Sequence, residues 1–217
     1  MNELTTLQQI AIWTLPVIFA ITVHETAHGW VASKLGDRTA ELQGRLTINP
    51  IKHIDPIGTV IVPLVLLALG GVIFGWARPV PINPQNFKNP SKDMAWVAIA
   101  GPASNLLMAI GWAILIKIGS GLTETLPEIG LFLVYSGLAG ISINLILLVL
   151  NLLPIPPLDG SRVVSAFLPP KLAYQYNLVE PYGFFILLGL LFIGLLGPIL
   201  SGPYQVLQQI ILGLVGV

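Results

Sequence analysis

Residues 24–28 read His-Glu-Thr-Ala-His. On a helix, side chains four apart share a face with about 5–6 Å between their Cβ atoms, so His24 and His28 can bind one metal ion from one side. Zinc accepts imidazole nitrogen, and a catalytic zinc site typically has three protein ligands and a fourth position open to water. Glu25 is turned by about 100° from His24 and need not ligate. It can stand beside the water as a general base. The blander alternative is two buried histidines hydrogen-bonded to neighbouring helices. That alternative suits a lone histidine better than the full pattern, because ionisable groups inside an apolar run are costly and usually functional.

The whole chain is apolar. Of its 217 residues, 54% are hydrophobic and 9% charged, and the mean hydropathy is +0.84. A soluble domain carries about a quarter charged residues, so an integral membrane protein is expected. The apolar segments are helix-length and lack the alternation of an outer-membrane barrel. Zero net charge points away from nucleic acid and from a basic membrane-surface peptide. The absence of cysteine excludes disulfides, thiolate metal sites and a catalytic thiol. No Lys or Arg precedes Lys34, which makes a poor signal-peptide start; the segment carrying His24 is expected to stay as an uncleaved first span.

The elements that must position these groups follow from the pattern of apolar runs and breakers. Segment one covers about 7–35, segment two 57–76, segment three 93–117, segment four 131–153 and segment five 182–200, with a last helix after Pro203. Residues 44–49 and 78–83 read as short β-strands, the second an edge strand because of its prolines. The fold class expected is therefore all-α and polytopic, with about five to six membrane helices or re-entrant segments and two short membrane-associated strands. It forms a single membrane domain over 1–217, with a core over about 7–165 and C-terminal helices over about 182–217. The five tryptophans fall mostly near segment ends, as interfacial anchors do.

A third ligand must reach the depth of the histidines. Asp159 directly follows a long apolar segment and Pro154, Pro156 and Pro157, which must break a helix. A broken backbone inside a bilayer is tolerated only where protein or a polar cavity surrounds it, so Asp159 is left pointing inward. His53 and Asp55, just before segment two, are the rival ligands. His53 could also shield the site or orient substrate, against the plainer reading of a histidine bonded within its own turn. Asn105 and Asn144 read as interhelical hydrogen-bonding residues. Asn151, eight residues before Asp159, could place its amide near the metal.

Three stretches together resemble the site-2 protease family of intramembrane zinc metalloproteases: His24-Glu25-Thr26-Ala27-His28 in a first span, Ala100-Gly101-Pro102-Ala103-Ser104-Asn105, and Asn151-Leu152-Leu153-Pro154-Ile155-Pro156-Pro157-Leu158-Asp159-Gly160. They cover about 15–165 and occur in the family's order. The run from Asn49 to Thr59 is similar to a compact prokaryotic branch. The resemblance implies one zinc ion held by His24, His28 and Asp159, Glu25 as catalytic base, and Asn151 positioning the substrate carbonyl. It implies hydrolysis of a peptide bond in or near a transmembrane helix of a membrane-anchored protein substrate. Many relatives carry an added PDZ or CBS regulatory domain, for which this chain has no room, so any regulatory membrane partner is unidentified. Two other classes are a metal-relaying transporter, which needs neither Glu25 nor the Asn-to-Asp motif, and an inactive scaffold, which would be expected to have lost a ligand.

Topology follows from the need to share one ion. The histidines lie toward the end of segment one and Asp159 follows segment four, so an even number of crossings must separate them. Segments three and four are long and uninterrupted, so segment two is expected to re-enter rather than cross. Lys34, Arg38, Arg45 and Lys52 precede it, and Arg78, Lys88 and Lys92 follow it. The positive-inside rule then places both flanks, with Arg162 and Lys171, in the cytoplasm, and Glu124 and Glu128 outside. The expected location is a prokaryotic inner membrane with the site opening toward the cytoplasm.

Overall fold

The computed structural model describes residues 4–62, 65 and 75–216. Helix α1 (Thr6–Leu35) starts at a capping box in which the Thr5 hydroxyl accepts from the Gln8 amide and the Gln8 side chain accepts from the Thr5 amide. It ends at Gly36, whose φ of 115° is accessible to glycine at little cost. A short helix α2 (Thr39–Leu42), single turns at Pro50–His53 and Pro56–Ile61, and an extended stretch lead to a turn at Pro84–Asn86. Helices α3 (Pro90–Leu122) and α4 (Pro127–Asn151) form an antiparallel pair joined by a four-residue link, and α1 packs across both. The chain then continues through α5 (Asp159–Phe167), α6 (Pro170–Asn177), α7 (Gly183–Phe192) and α8 (Leu196–Val215).

The packing is what a lipid solvent selects. Small residues are buried between helices, among them Ala20, Ala98, Ala109, Ala113 and Ala139. Bulky apolar side chains such as Leu15, Phe19, Leu107 and Ile118 face outward. Lipid gives no hydrophobic reason to bury a leucine, so close backbone approach through small residues decides the interfaces. Gly140 shows this: a Cβ there would lie 2.2 Å from the Trp112 ring. Trp112 thus fills the α3–α4 seam rather than anchoring at a membrane surface.

Among the described residues, three helices, α1, α3 and α4, are long and apolar enough to cross a membrane; a fourth span is reached there only if the chain from Pro170 to Val215, bent by 87°, counts as one. The expected five to six counted re-entrant segments together with spans, and the all-α, multi-pass class stands. The C-terminal region is apolar, but α7 has 10 residues, or about 15 Å of helix against a hydrocarbon core of about 30 Å. The break falls at Gly194, with φ of 75°, and the last helix, α8, starts at Leu196 rather than after Pro203, which lies inside it.

The expected strands at 44–49 and 78–83 are also overturned: there is no β-strand among the described residues. Their backbone groups are claimed by side chains and turns instead. The Thr47 carbonyl accepts from Thr26 Oγ1 and His53 Nε2, and the Arg45 amide donates to Ala40. Val80 donates to Glu25 and Asn83 to Asp37. Pro79 and Pro81 have no N–H to give a ladder.

Most of segment two, residues 63–64 and 66–74, lies outside the described residues. Its two ends do not, and they meet. The Trp76 amide donates to the Gly58 carbonyl at 3.1 Å, and Thr59 Oγ1 donates to the Trp76 carbonyl at 2.8 Å.

Candidate metal centre

His24 and His28 lie on the inward face of α1, each 7% exposed. The α1 face that carries them meets α3, whose residue 101 is glycine because nothing larger fits. A Cβ on Gly101 would stand 2.5 Å from His28 Nε2 and 2.6 Å from His24 Nε2. Asp159 lies eight residues beyond Asn151, the last residue of α4. The prolines at 154, 156 and 157 end that helix, and Asp159 opens α5. Its Oδ2 lies 3.2 Å from His24 Nε2 and 3.4 Å from His28 Nε2, and the two Nε2 atoms are 3.0 Å apart.

The other ring nitrogens fix the tautomers. His24 Nδ1 donates to Asn105 Oδ1 at 2.6 Å, and His28 Nδ1 donates to the Val97 carbonyl at 2.7 Å. Both Nε2 lone pairs therefore point into the gap with Asp159 Oδ2, a buried atom with no hydrogen-bond partner. Three acceptors this close repel one another unless a cation sits among them. Tetrahedral zinc with bonds of about 2.0–2.1 Å needs ligand atoms about 3.3 Å apart, and the separations observed straddle that value. The donor set, the unpartnered carboxylate oxygen and the hollow above Gly101 all fit a zinc ion. His24, His28 and Asp159 are the only group of three such side chains with converging ligand atoms among the described residues.

The Asn105 side chain does more than tie helices together. Its Nδ2 donates to the Ala20 carbonyl at 3.2 Å and to Asn144 Oδ1 at 2.8 Å, and Asn144 Nδ2 donates to Gly140. Both asparagines are fully buried. Their amides are thus held in one sense, with Oδ1 of Asn105 aimed at His24. Orientation of a metal-binding imidazole by an outer hydrogen-bond partner is general. A role as an interhelical bond is correct for Asn144, but for Asn105 it omits the histidine.

The remaining candidates are placed as follows. Glu25 is half-buried, and its Oε2 accepts the Val80 amide at 2.8 Å. Asn151 lies at the end of α4, where its Nδ2 donates to the Leu147 carbonyl at 3.0 Å. The rival ligands do not join the cluster. His53 donates to the Thr47 carbonyl, and Asp55 caps the turn at Pro56 by accepting from the Ile57 and Gly58 amides. Gly101, Val80 and Arg45 were not expected at the site: Gly101 stood out only within a motif, Val80 only within the expected strand 78–83, and Arg45 only as a flanking positive charge. The signal for Val80 was present: it carries the only N–H in Pro79-Val80-Pro81.

No protein-family model matches the chain, and no solved structure matches it. Among curated proteins, the Bacillus subtilis protein named "Putative zinc metalloprotease YwhC" is 43% identical over 190 residues, covering 87% of this chain and 83% of the relative. "Putative zinc metalloprotease Rip2" of Mycolicibacterium smegmatis is 31% identical over 175 residues, covering 80% of this chain and 64% of the relative. The Mycobacterium tuberculosis protein of the same name is 28% identical over 155 residues, 71% of this chain and 56% of the relative. With this likeness and its apolar helices, the chain is an integral membrane protein, and it belongs to the site-2 protease family of zinc metalloproteases.

Proposed function

We propose that this protein hydrolyses peptide bonds in or beside the transmembrane segments of membrane-anchored substrates, with one zinc ion held by His24, His28 and Asp159. The observation that carries the reading is the convergence of those three ligand atoms beside a carboxylate, Glu25, that is not among them. Bound there, zinc would supply a Lewis acid for the scissile carbonyl and lower the pKa of water toward about 7. Glu25 takes the proton of the attacking water and delivers it to the leaving amine. Asn151 turns its amide from the Leu147 carbonyl to the substrate carbonyl and holds it through the reaction. The substrate helix must unwind locally first, because a helical carbonyl is hydrogen-bonded and enclosed.

The location we propose is the inner membrane of a prokaryotic cell, with the site toward the cytoplasm. The end of α1, the start of α3 and the end of α4 lie at one end of the helix bundle, together with Lys34, Arg38, Lys88 and Lys92. Glu124 and Glu128 mark the other end, as the positive-inside rule asks.

The test is cleavage of a membrane-anchored substrate by purified protein, with and without a zinc chelator. The Glu25→Gln variant should keep about one zinc per chain and lose roughly 10²–10⁴-fold in kcat. Cleavage that survives either treatment rules the reading out. Asp159→Ala should lose the metal as well as the activity.

A further inference from the structure

Glu25 is not left free at the end of its side chain. Its Oε2 accepts the Val80 amide at 2.8 Å, while Oε1 has no protein hydrogen bond among the described residues. Val80 sits in Arg78-Pro79-Val80-Pro81. The two prolines fix φ on either side and bias the residues before them toward extended backbone. They also leave Val80 as the only amide donor between 79 and 81. The Val80 side chain is 5% exposed and seats on Gly29, where an added Cβ would come 3.0 Å from Val80 Cγ1. Gly29 is four residues from Glu25, on the same face of α1.

The segment is itself held from two sides. Arg45 is 8% exposed, and its Nη2 donates to the Arg78 carbonyl at 2.9 Å and to the Pro79 carbonyl at 3.3 Å. Its Nε is buried without a partner, and among the described residues no carboxylate pairs with it. A buried guanidinium is costly to keep without an ion-pair partner, yet this one is spent on the two carbonyls just before Val80. His53, 2% exposed, accepts the Arg78 amide on its own carbonyl at 2.9 Å and donates from Nε2 to the Thr47 carbonyl at 2.8 Å. The Thr47 carbonyl also accepts from Thr26 Oγ1 at 2.8 Å. Thr26 is the neighbour of Glu25. The path from Thr26 through Thr47, His53, Arg78 and Val80 thus returns to α1 one residue from where it left.

We propose that Arg45 and His53 are positioning residues, which hold the Arg78-Pro79-Val80-Pro81 segment so that the Val80 amide fixes the Glu25 carboxylate and leaves Oε1 for the proton transfer. The inference rests on Glu25 acting as the general base. Held through one oxygen, the carboxylate cannot swing among its rotamers, and a misplacement of about 1 Å at a reacting group can cost about 10²-fold in rate. His53 therefore acts beyond its own turn, through its backbone carbonyl as much as through its ring.

The test uses the full chain in detergent or liposomes with a membrane-anchored peptide, and reads kcat, KM and bound zinc separately. Arg45→Met and His53→Leu should lower kcat roughly ten- to a hundred-fold with zinc at one per chain and KM within about twofold. Arg45→Lys and His53→Gln, which keep a donor, should recover most of that loss. Unchanged kcat, or a rise in KM alone, overturns the proposal. If either apolar variant loses zinc or fails to fold, Pro79→Ala combined with Pro81→Ala decides instead. That pair keeps every side chain of the circuit and frees only the backbone, so kcat should still fall several-fold, and an unchanged kcat overturns the proposal. Glu25→Gln, run alongside, separates the two ideas. If it still cleaves, the general-base reading and this inference fall together. If it is dead while the other variants keep full kcat, only the inference falls.

Discussion

Gly101 of α3 lies directly against the Nε2 atoms of His24 and His28, closer than any side-chain carbon could approach. The hollow between the two imidazoles, where we propose that zinc binds, is made by what residue 101 lacks. Gly101→Ala should therefore eliminate zinc binding, because the new methyl would meet imidazole atoms held by Asn105 and Val97 rather than a flexible chain end. Metal analysis of the purified variant checks this. Zinc at one per chain would show that the helices can part to admit a methyl group.

Asn105→Ala should weaken zinc binding without abolishing it. The loss expected is about 10–100-fold, the usual cost of removing the outer partner of a metal-binding histidine. His24 would no longer be confined to the tautomer with Nε2 unprotonated. Competition against a chelator of known affinity measures the change, and an affinity equal to that of the wild type would return Asn105 to a helix-packing role alone.

The meeting of Gly58 and Thr59 with Trp76 leads to a prediction about topology. A full crossing would separate the ends of segment two by about 30 Å. We expect cysteines introduced at Lys52 and Lys88, both exposed, to be labelled by a membrane-impermeant thiol reagent from the same side. Labelling from opposite sides would overturn the re-entrant course.

Asp37 joins the end of α1 to the chain ahead of α3. It is 1% exposed and accepts from the Thr39 amide and hydroxyl, the Asn83 amide and Asn86 Nδ2. Burial pushes its carboxyl up, and these donors outweigh burial and hold it below the usual carboxylate range. A folded value below the unfolded one means the stabilisation is complete above the unfolded value of about 3.9 and is lost as pH falls through the folded value. Asp37→Asn should cost about 2 kcal/mol near neutral pH and flatten the acid limb of the stability profile. Thermal unfolding in detergent from pH 7 down to about pH 2 checks both parts; an unaltered acid limb counts against Asp37 as its source.

The sequence by itself determined the membrane setting, through 9% charged residues, and the shared face of His24 and His28, through helical spacing. It also singled out Asp159, because three prolines must end α4 before it. These are local inferences: composition, a four-residue period and a backbone that cannot continue. Asn105 was legible only as a polar residue in an apolar helix. That its Oδ1 meets His24 depends on where α3 crosses α1, a relation between residues 81 positions apart. The strands failed for a related reason. Residues 44–49 and 78–83 are extended enough to suggest pairing, but whether a backbone group pairs with another strand or with a side chain depends on what folds beside it. Here Thr26, Glu25, Asp37 and Arg45 take those groups. Helical periodicity is written along the chain. The partner of the Val80 amide, 55 positions away, is decided only when helix α1 and the proline-bound segment are packed together.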